Sequence, residues 1–149
     1  MESIDRADWH YGGKFPNDLP KENGGTHIGM YLTWIIENDL IGEIHLKNSF
    51  QKIQDVKHRN ITGRDFLFTE CDEKFWKEDL TDIGNEFTEF YYSSETYGND
   101  YSKKLINDEE TIYHILNNWE NYDKLKPIID KRFKKWKAKK NKKSWEFWK

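Results

Sequence analysis

Three histidines in the first third of the chain, His10, His27 and His45, are the residues best suited to chemistry. His10 and His27 flank a glycine-rich arm, and His45 lies two residues from Glu43. If the arm folds back on the helix that follows it, Trp9, His10, Tyr11, His27, Glu43 and His45, with Asp8 nearby, could line a pocket. Such a pocket would offer an acid/base pair or a set of metal ligands. The spacing does not demand either: there is no H-x-x-x-H, no H-E-x-x-H and no carboxylate–histidine pair on one helix. No catalytic residue, metal or cofactor is therefore expected. The plainer reading makes His27 a hydrogen-bonded partner of the arm between Trp9 and Phe15, because buried polar groups must find partners.

Two other features are weaker. Gly24-Gly25 leads into a helix N-terminus, where a phosphate could sit; no lysine or threonine follows at phosphate-loop spacing, so turn geometry accounts for the glycines. Cys71 lies within T-E-C-D-E, and acidic neighbours disfavour a thiolate. A buried structural cysteine is expected.

Charge is unevenly distributed. From Lys124 onward there are 12 Lys/Arg against 2 acids, whereas residues 1 to 123 hold 12 basic and 25 acidic side chains. The acidic body argues against nucleic-acid binding. Glu70, Asp72, Glu73, Glu78, Asp79, Asp82, Glu86 and Glu89 crowd one stretch around Trp76. Carboxylates surrounding aromatics suit a basic protein partner, since charge steers the encounter and aromatics supply contact energy. An ordinary solvated face with inward-turned aromatics is the plain alternative.

The elements that must position these residues are mostly helices. Thr26 to Asn38 is apolar almost all round, with His27, Met30, Tyr31 and Trp34 on one side and Ile28, Leu32, Ile35 and Ile36 covering most of the other. Such a helix is normally buried. Thr26 is its expected N-cap. The arm before it, W-H-Y-G-G-K-F-P-N-D-L-P, reads as rigid and irregular. Further helices are predicted from Ser49 to about His58, from a Thr62/Asp65 capping box to Cys71, and over Glu86–Ser93. Tyr97–Asp100 reads as turn and Thr111–Leu116 stays ambiguous. A long last element runs from Trp119 through Trp136, with Pro127 expected to kink or divide it. The sum is an all-α, single-domain orthogonal bundle of four to six helices with little or no strand, beyond a possible small hairpin near Trp9. Residues 1–137 form the domain and 138–149 a basic aromatic tail ending in Trp145, Phe147 and Trp148.

Seven Trp, eight Tyr and nine Phe in 149 residues build a core from few, large side chains. A chain of about 150 residues buries roughly two-thirds of its unfolded surface, enough for one real core. The single cysteine excludes an internal disulfide. No apolar secretory segment or membrane span is visible, so a cytoplasmic protein is expected.

W-H-Y-G-G-K-F-P at Trp9 to Pro16, L-P at Leu19-Pro20 and T-H-I-G-M-Y at Thr26 to Tyr31 resemble a family of small uncharacterised bacterial proteins. C-D-E-K-F at Cys71 to Phe75, Tyr91-Tyr92 and W-x-x-Y-D at Trp119 to Asp123 look like later parts of that pattern. The resemblance implies a bacterial origin and an intact small domain over about residues 9–137, and no assigned activity.

The functional expectation is a non-enzymatic module that binds another protein, such as an immunity protein neutralising a basic toxin domain through the acidic stretch. A small enzyme or ligand-binding protein with its pocket under the arm is the alternative. A membrane-surface adaptor using the basic tail is a third reading.

Overall fold

The computed structural model describes residues 3–147, with side chains to Lys143. The side chains of Trp145 and Phe147, and all of Trp148, lie outside the described residues. The chain is a mostly α-helical single domain. Its elements are β1 (Ser3–Arg6), α1 (Ala7–Tyr11), α2 (Thr26–Glu37), α3 (Glu43–Asn48), α4 (Phe50–Lys57), α5 (Gly63–Glu70), β2 (Lys74–Trp76), α6 (Asp82–Tyr91), α7 (Thr96–Leu105) and α8 (Trp119–Phe147). Short 3₁₀ turns at Lys21–Gly25, Lys77–Asp79 and Ile112–His114 join them. Periodicity resolves fewer helices because α1 and α3 are only five and six residues long.

α2 is the centre. Every residue from Thr26 to Ile36 is buried, as an apolar circumference requires. α5 crosses α2 at backbone contact, and the crossing depends on two glycines. A Cβ on Gly63 would stand 2.0 Å from the Gly29 carbonyl oxygen, and one on Gly29 would stand 2.4 Å from the Arg64 nitrogen. Thr33 bridges the same point: its hydroxyl donates to the Gly29 carbonyl at 2.8 Å and accepts from the Gly63 N–H at 3.1 Å. Thr62 and Asp65 form the expected capping box, with bonds of 3.2 and 3.0 Å.

The other faces of α2 are covered by aromatics. Tyr31 meets Phe75, Tyr91, Tyr92 and Tyr97 at centroid distances of 4.9–6.3 Å. Trp34 packs against Phe87 and Phe133, and its indole N–H donates to Asp130 on α8 at 2.8 Å. α8 runs as one helix through Pro127, so of the two expectations there the division does not occur, and it stays helical past Lys137. Its buried contacts are Tyr122, Leu125 and Ile129.

Several local expectations are corrected. Thr26 is the first residue of α2 and not its cap; Gly25 holds that place, and the Thr26 hydroxyl accepts from Arg64 at 3.1 Å. The turn expected at Tyr97–Asp100 is the first half of α7, whose Tyr97, Tyr101 and Leu105 face the core. The arm is less irregular than its glycines and prolines suggest, because Ala7–Tyr11 is helical. β1 pairs antiparallel with β2, placing Asp5 opposite Phe75 and Arg6 opposite Lys74, in place of a hairpin near Trp9. Two consecutive left-handed residues, Asp72 and Glu73, turn the chain from α5 into β2.

The glycine crossing gives a stability test. Gly63→Ala should lower unfolding free energy by about 3 kcal/mol, the upper range for overpacking, since the clash is with backbone. Gly98→Ala, in α7 with nothing within 4 Å of its would-be Cβ, should raise it by about 0.5–1 kcal/mol. Urea titration of the two variants checks both signs.

Candidate functional site

Two arrangements deserve comparison as sites: a buried cluster where the arm meets α2, and the outer face of α6.

The first is built on Asp5. Strand alternation turns this side chain inward from β1, where it is buried with 8% of its surface exposed. One carboxylate oxygen, Oδ1, accepts from His10 Nε2 at 2.8 Å and from the Arg6 backbone N–H at 2.8 Å. The other, Oδ2, accepts from Tyr92 Oη at 2.5 Å and from His27 Nε2 at 3.3 Å. Burial disfavours the Asp5 carboxylate, but the hydrogen bonds from His10 and His27 outweigh it and hold the carboxyl below its usual range. Burial pushes His27 the other way, towards the neutral form, against the pull of Asp5. With Asp5 ionised, both Nε2 atoms carry protons. The other ring nitrogen of His10, Nδ1, is hydrogen-bonded to the Tyr113 hydroxyl at 2.7 Å. The His10 and His27 rings meet edge to face at 4.4 Å, and Tyr113 lies 5.6 and 6.3 Å from them.

His10 and His27 therefore do converge, as a folded-back arm requires, but their carboxylate is Asp5 and not Asp8. Asp8 pairs with Arg6 at 2.7 Å. The rest of the expected pocket disperses. Trp9 is 56% exposed beneath the Arg6 guanidinium, and Tyr11 donates to Glu73 at 3.0 Å. Glu43 is exposed at the start of α3. His45 turns instead to Asp79, with Nε2 2.7 Å from Oδ1, while Cys71 Sγ lies 3.8 Å from the same nitrogen. Because thiol and carboxylate share one ring nitrogen, this is not a nucleophile–base–carboxylate relay, which uses both nitrogens. Burial, then Asp79 and Glu70, push the Cys71 thiol pKa up, as its acidic surroundings suggest.

The acidic stretch is only partly a surface. Asp79 is buried, because its Oδ2 accepts from the Trp76 N–H at 2.7 Å and its Oδ1 holds His45; it is removed from the partner-facing set. Glu73 is engaged by Tyr11, Trp76 and Glu70 are half-buried, and Glu86 is paired with Lys140 of α8. Asp72, Glu78, Asp82, Glu86 and Glu89 are exposed. α6 buries Gly84, Phe87, Thr88 and Tyr91 and turns Asp82, Ile83, Glu86, Glu89 and Phe90 outward. Open grooves run along both sides of it. One is lined by Ser3, Ile4, Lys77, Asn85, Glu86 and Glu89; the other by Glu89, Phe90, Trp136, Lys139, Lys140 and Lys143.

Sequence reasoning missed Asp5, Tyr92 and Tyr113 as partners of the histidines. Asp5 lies in a polar N-terminal run, and the tyrosines arrive from 87 and 103 residues away. The only available signal was a charged residue at the inward position of a short strand that has no partner nearby in sequence.

The cluster predicts a stability effect. Tyr92→Phe removes a hydroxyl donating to a buried carboxylate and should cost about 2 kcal/mol, within the range for hydrogen bonds to charged groups. Equal urea midpoints for variant and parent would show that the contact carries no weight.

Neither the curated proteins nor the solved structures give a match to this chain. A protein-family comparison does: residues 3–115 match the domain of unknown function DUF7832. That span runs from β1 to the residue after the last 3₁₀ turn, enclosing Asp5, His10, His27, Tyr92 and Tyr113 and leaving α8 outside. The chain belongs to the DUF7832 family.

Proposed function

We propose that the protein acts by binding another protein, as an immunity protein that neutralises a basic toxin domain, and that α6 with its flanking acids is the docking face. The observation that carries this reading is the outer face of α6. Ile83 and Phe90, 37% and 53% exposed, stand among Asp82, Glu86 and Glu89. Exposed apolar side chains next to carboxylates give a partner both contact area and electrostatic steering, and the lysines of α8 bound the face on the Phe90 side. An anionic face of this kind complements the cationic surface with which a nuclease-type toxin holds nucleic acid. The surplus of acids over bases in residues 1 to 123 extends the same field beyond α6.

The test uses the protein as bait at low and high salt, followed by calorimetry with the isolated partner. A basic partner bound one to one, with affinity falling as salt rises, is expected. Asp82→Asn, Glu86→Gln and Glu89→Gln combined should weaken it at least tenfold and flatten the salt dependence. Phe90→Ala should cost about 1–2 kcal/mol of binding. A partner whose affinity ignores both salt and these substitutions would reject this face as the interface.

A further inference from the structure

We propose that Asp5, His10 and His27 form a binding site for one divalent transition-metal ion of the zinc class. The proposal stands independently of the protein-binding reading.

The ligand atoms already converge. One oxygen of Asp5 and one nitrogen of each histidine all lie within 4.8 Å of one another, contributed by β1, α1 and α2. Zinc bonds to nitrogen and oxygen are about 2.0–2.1 Å, so the edges of a tetrahedral site are about 3.3 Å. His27 Nε2 lies 3.3 Å from Asp5 Oδ2, the length of that edge, and His10 Nε2 lies 2.8 Å from the other oxygen, Oδ1, so an ion between the two rings is held by both carboxylate oxygens or by one of them after a small turn of the carboxylate. Two imidazoles and one carboxylate are a ligand set used by zinc and by other first-row divalent ions, with positions left for water.

The surrounding hydrogen bonds also suit an ion. When the ion takes the place of the two Nε2 protons, those protons move to Nδ1. His10 Nδ1–H then donates to the Tyr113 hydroxyl, which can accept at the same 2.7 Å contact. Asp5 keeps its bonds from the Arg6 N–H and the Tyr92 hydroxyl. Ligating histidines and carboxylates are typically fixed by such partners. Beside the cluster, Tyr101 packs edge-on to the His27 ring at 6.1 Å, and its buried hydroxyl has no hydrogen-bond partner among the described residues. The His10 side chain is 22% exposed and gives a path of entry.

His45, Cys71 and Asp79 form the competing cluster. All three of its side chains are buried, whereas His10 opens the cluster around Asp5 to solvent, so the latter is the more accessible ligand set.

The experiment is titration of the chelator-treated full chain with zinc chloride by calorimetry, with thermal unfolding and cobalt absorption on the same sample. One ion per chain is expected. The melting temperature should rise by about 5–10 °C at a hundredfold excess over Kd. Cobalt should give visible ligand-field bands without the near-ultraviolet thiolate charge-transfer band that Cys71 would produce. His10→Gln should abolish binding, and Tyr113→Phe should keep the fold and weaken binding about 10- to 100-fold by freeing the His10 ring. No zinc heat and no thermal shift in the parent protein overturn the proposal. A thiolate band, or binding retained in His10→Gln and lost in Cys71→Ser, overturns it equally by placing the ion in the other cluster.

Discussion

A helix that is apolar on every side has to be enclosed on every side, and α2 imposes that condition on the rest of the chain. Each of its large side chains contributes roughly 1.5–3 kcal/mol when removed from water. Enclosure is achieved by different means on different faces. On the α5 side the two backbones touch through Gly29 and Gly63, leaving no room for side chains between them. On the opposite side Tyr31 and Trp34 meet rings from α6, α7, α8 and β2. Close packing of so many rings leaves hydroxyls to be satisfied inside, and the chain supplies a hydrogen-bond partner for nearly all of them: Thr88 for Tyr31, Asp100 for Tyr91, the His27 carbonyl for Tyr97 and Glu37 for Tyr122.

The Asp5 cluster is where that enclosure meets the N-terminal arm. A carboxylate placed against the start of α2 has to be compensated, and four donors from four elements or turns do so. The consequence is mechanical as well as electrostatic. β1, α1, α2 and the segment after α6 are tied to one pair of oxygens, and the Tyr113 hydroxyl brings the last 3₁₀ turn to His10. The same density of nitrogen and oxygen lone pairs suits the site to a metal ion. The surface of α6 is the contrasting case, an exposed face whose acids are mostly solvated. There α8 already neutralises part of the field through Lys140, so a partner engages a face of mixed character: acidic and apolar along α6, basic at its α8 margin.

Much of the helical architecture was legible in the sequence because its signals are local. The all-round apolar run of α2, the Thr62/Asp65 cap and the stepped aromatics of α8 each act within a few residues. Elements whose stability comes from elsewhere were not legible. α7 looks like turn because Gly98, Asn99 and Asp100 are poor helix formers, yet Tyr97, Tyr101 and Leu105 gain enough burial to impose the helix. β1 has no alternating partner nearby, since its pair is β2, about 70 residues on. The same distinction separates the acids: Asp79 resembles its exposed neighbours by composition and differs only in facing His45 and the Trp76 N–H.

The sequence by itself determined a single, aromatic-rich, largely helical domain around α2, an acidic body with a basic last helix, and a cysteine unsuited to nucleophilic chemistry. These follow from periodicity, charge count and immediate neighbours. Only the tertiary structure decided that His10 and His27 share the carboxylate of Asp5, that His45 belongs to a separate group, and that α6 turns Ile83 and Phe90 outward. The reason is physical: hydrogen bonds and packing join side chains by distance in space, and here the joined residues lie up to 103 positions apart along the chain.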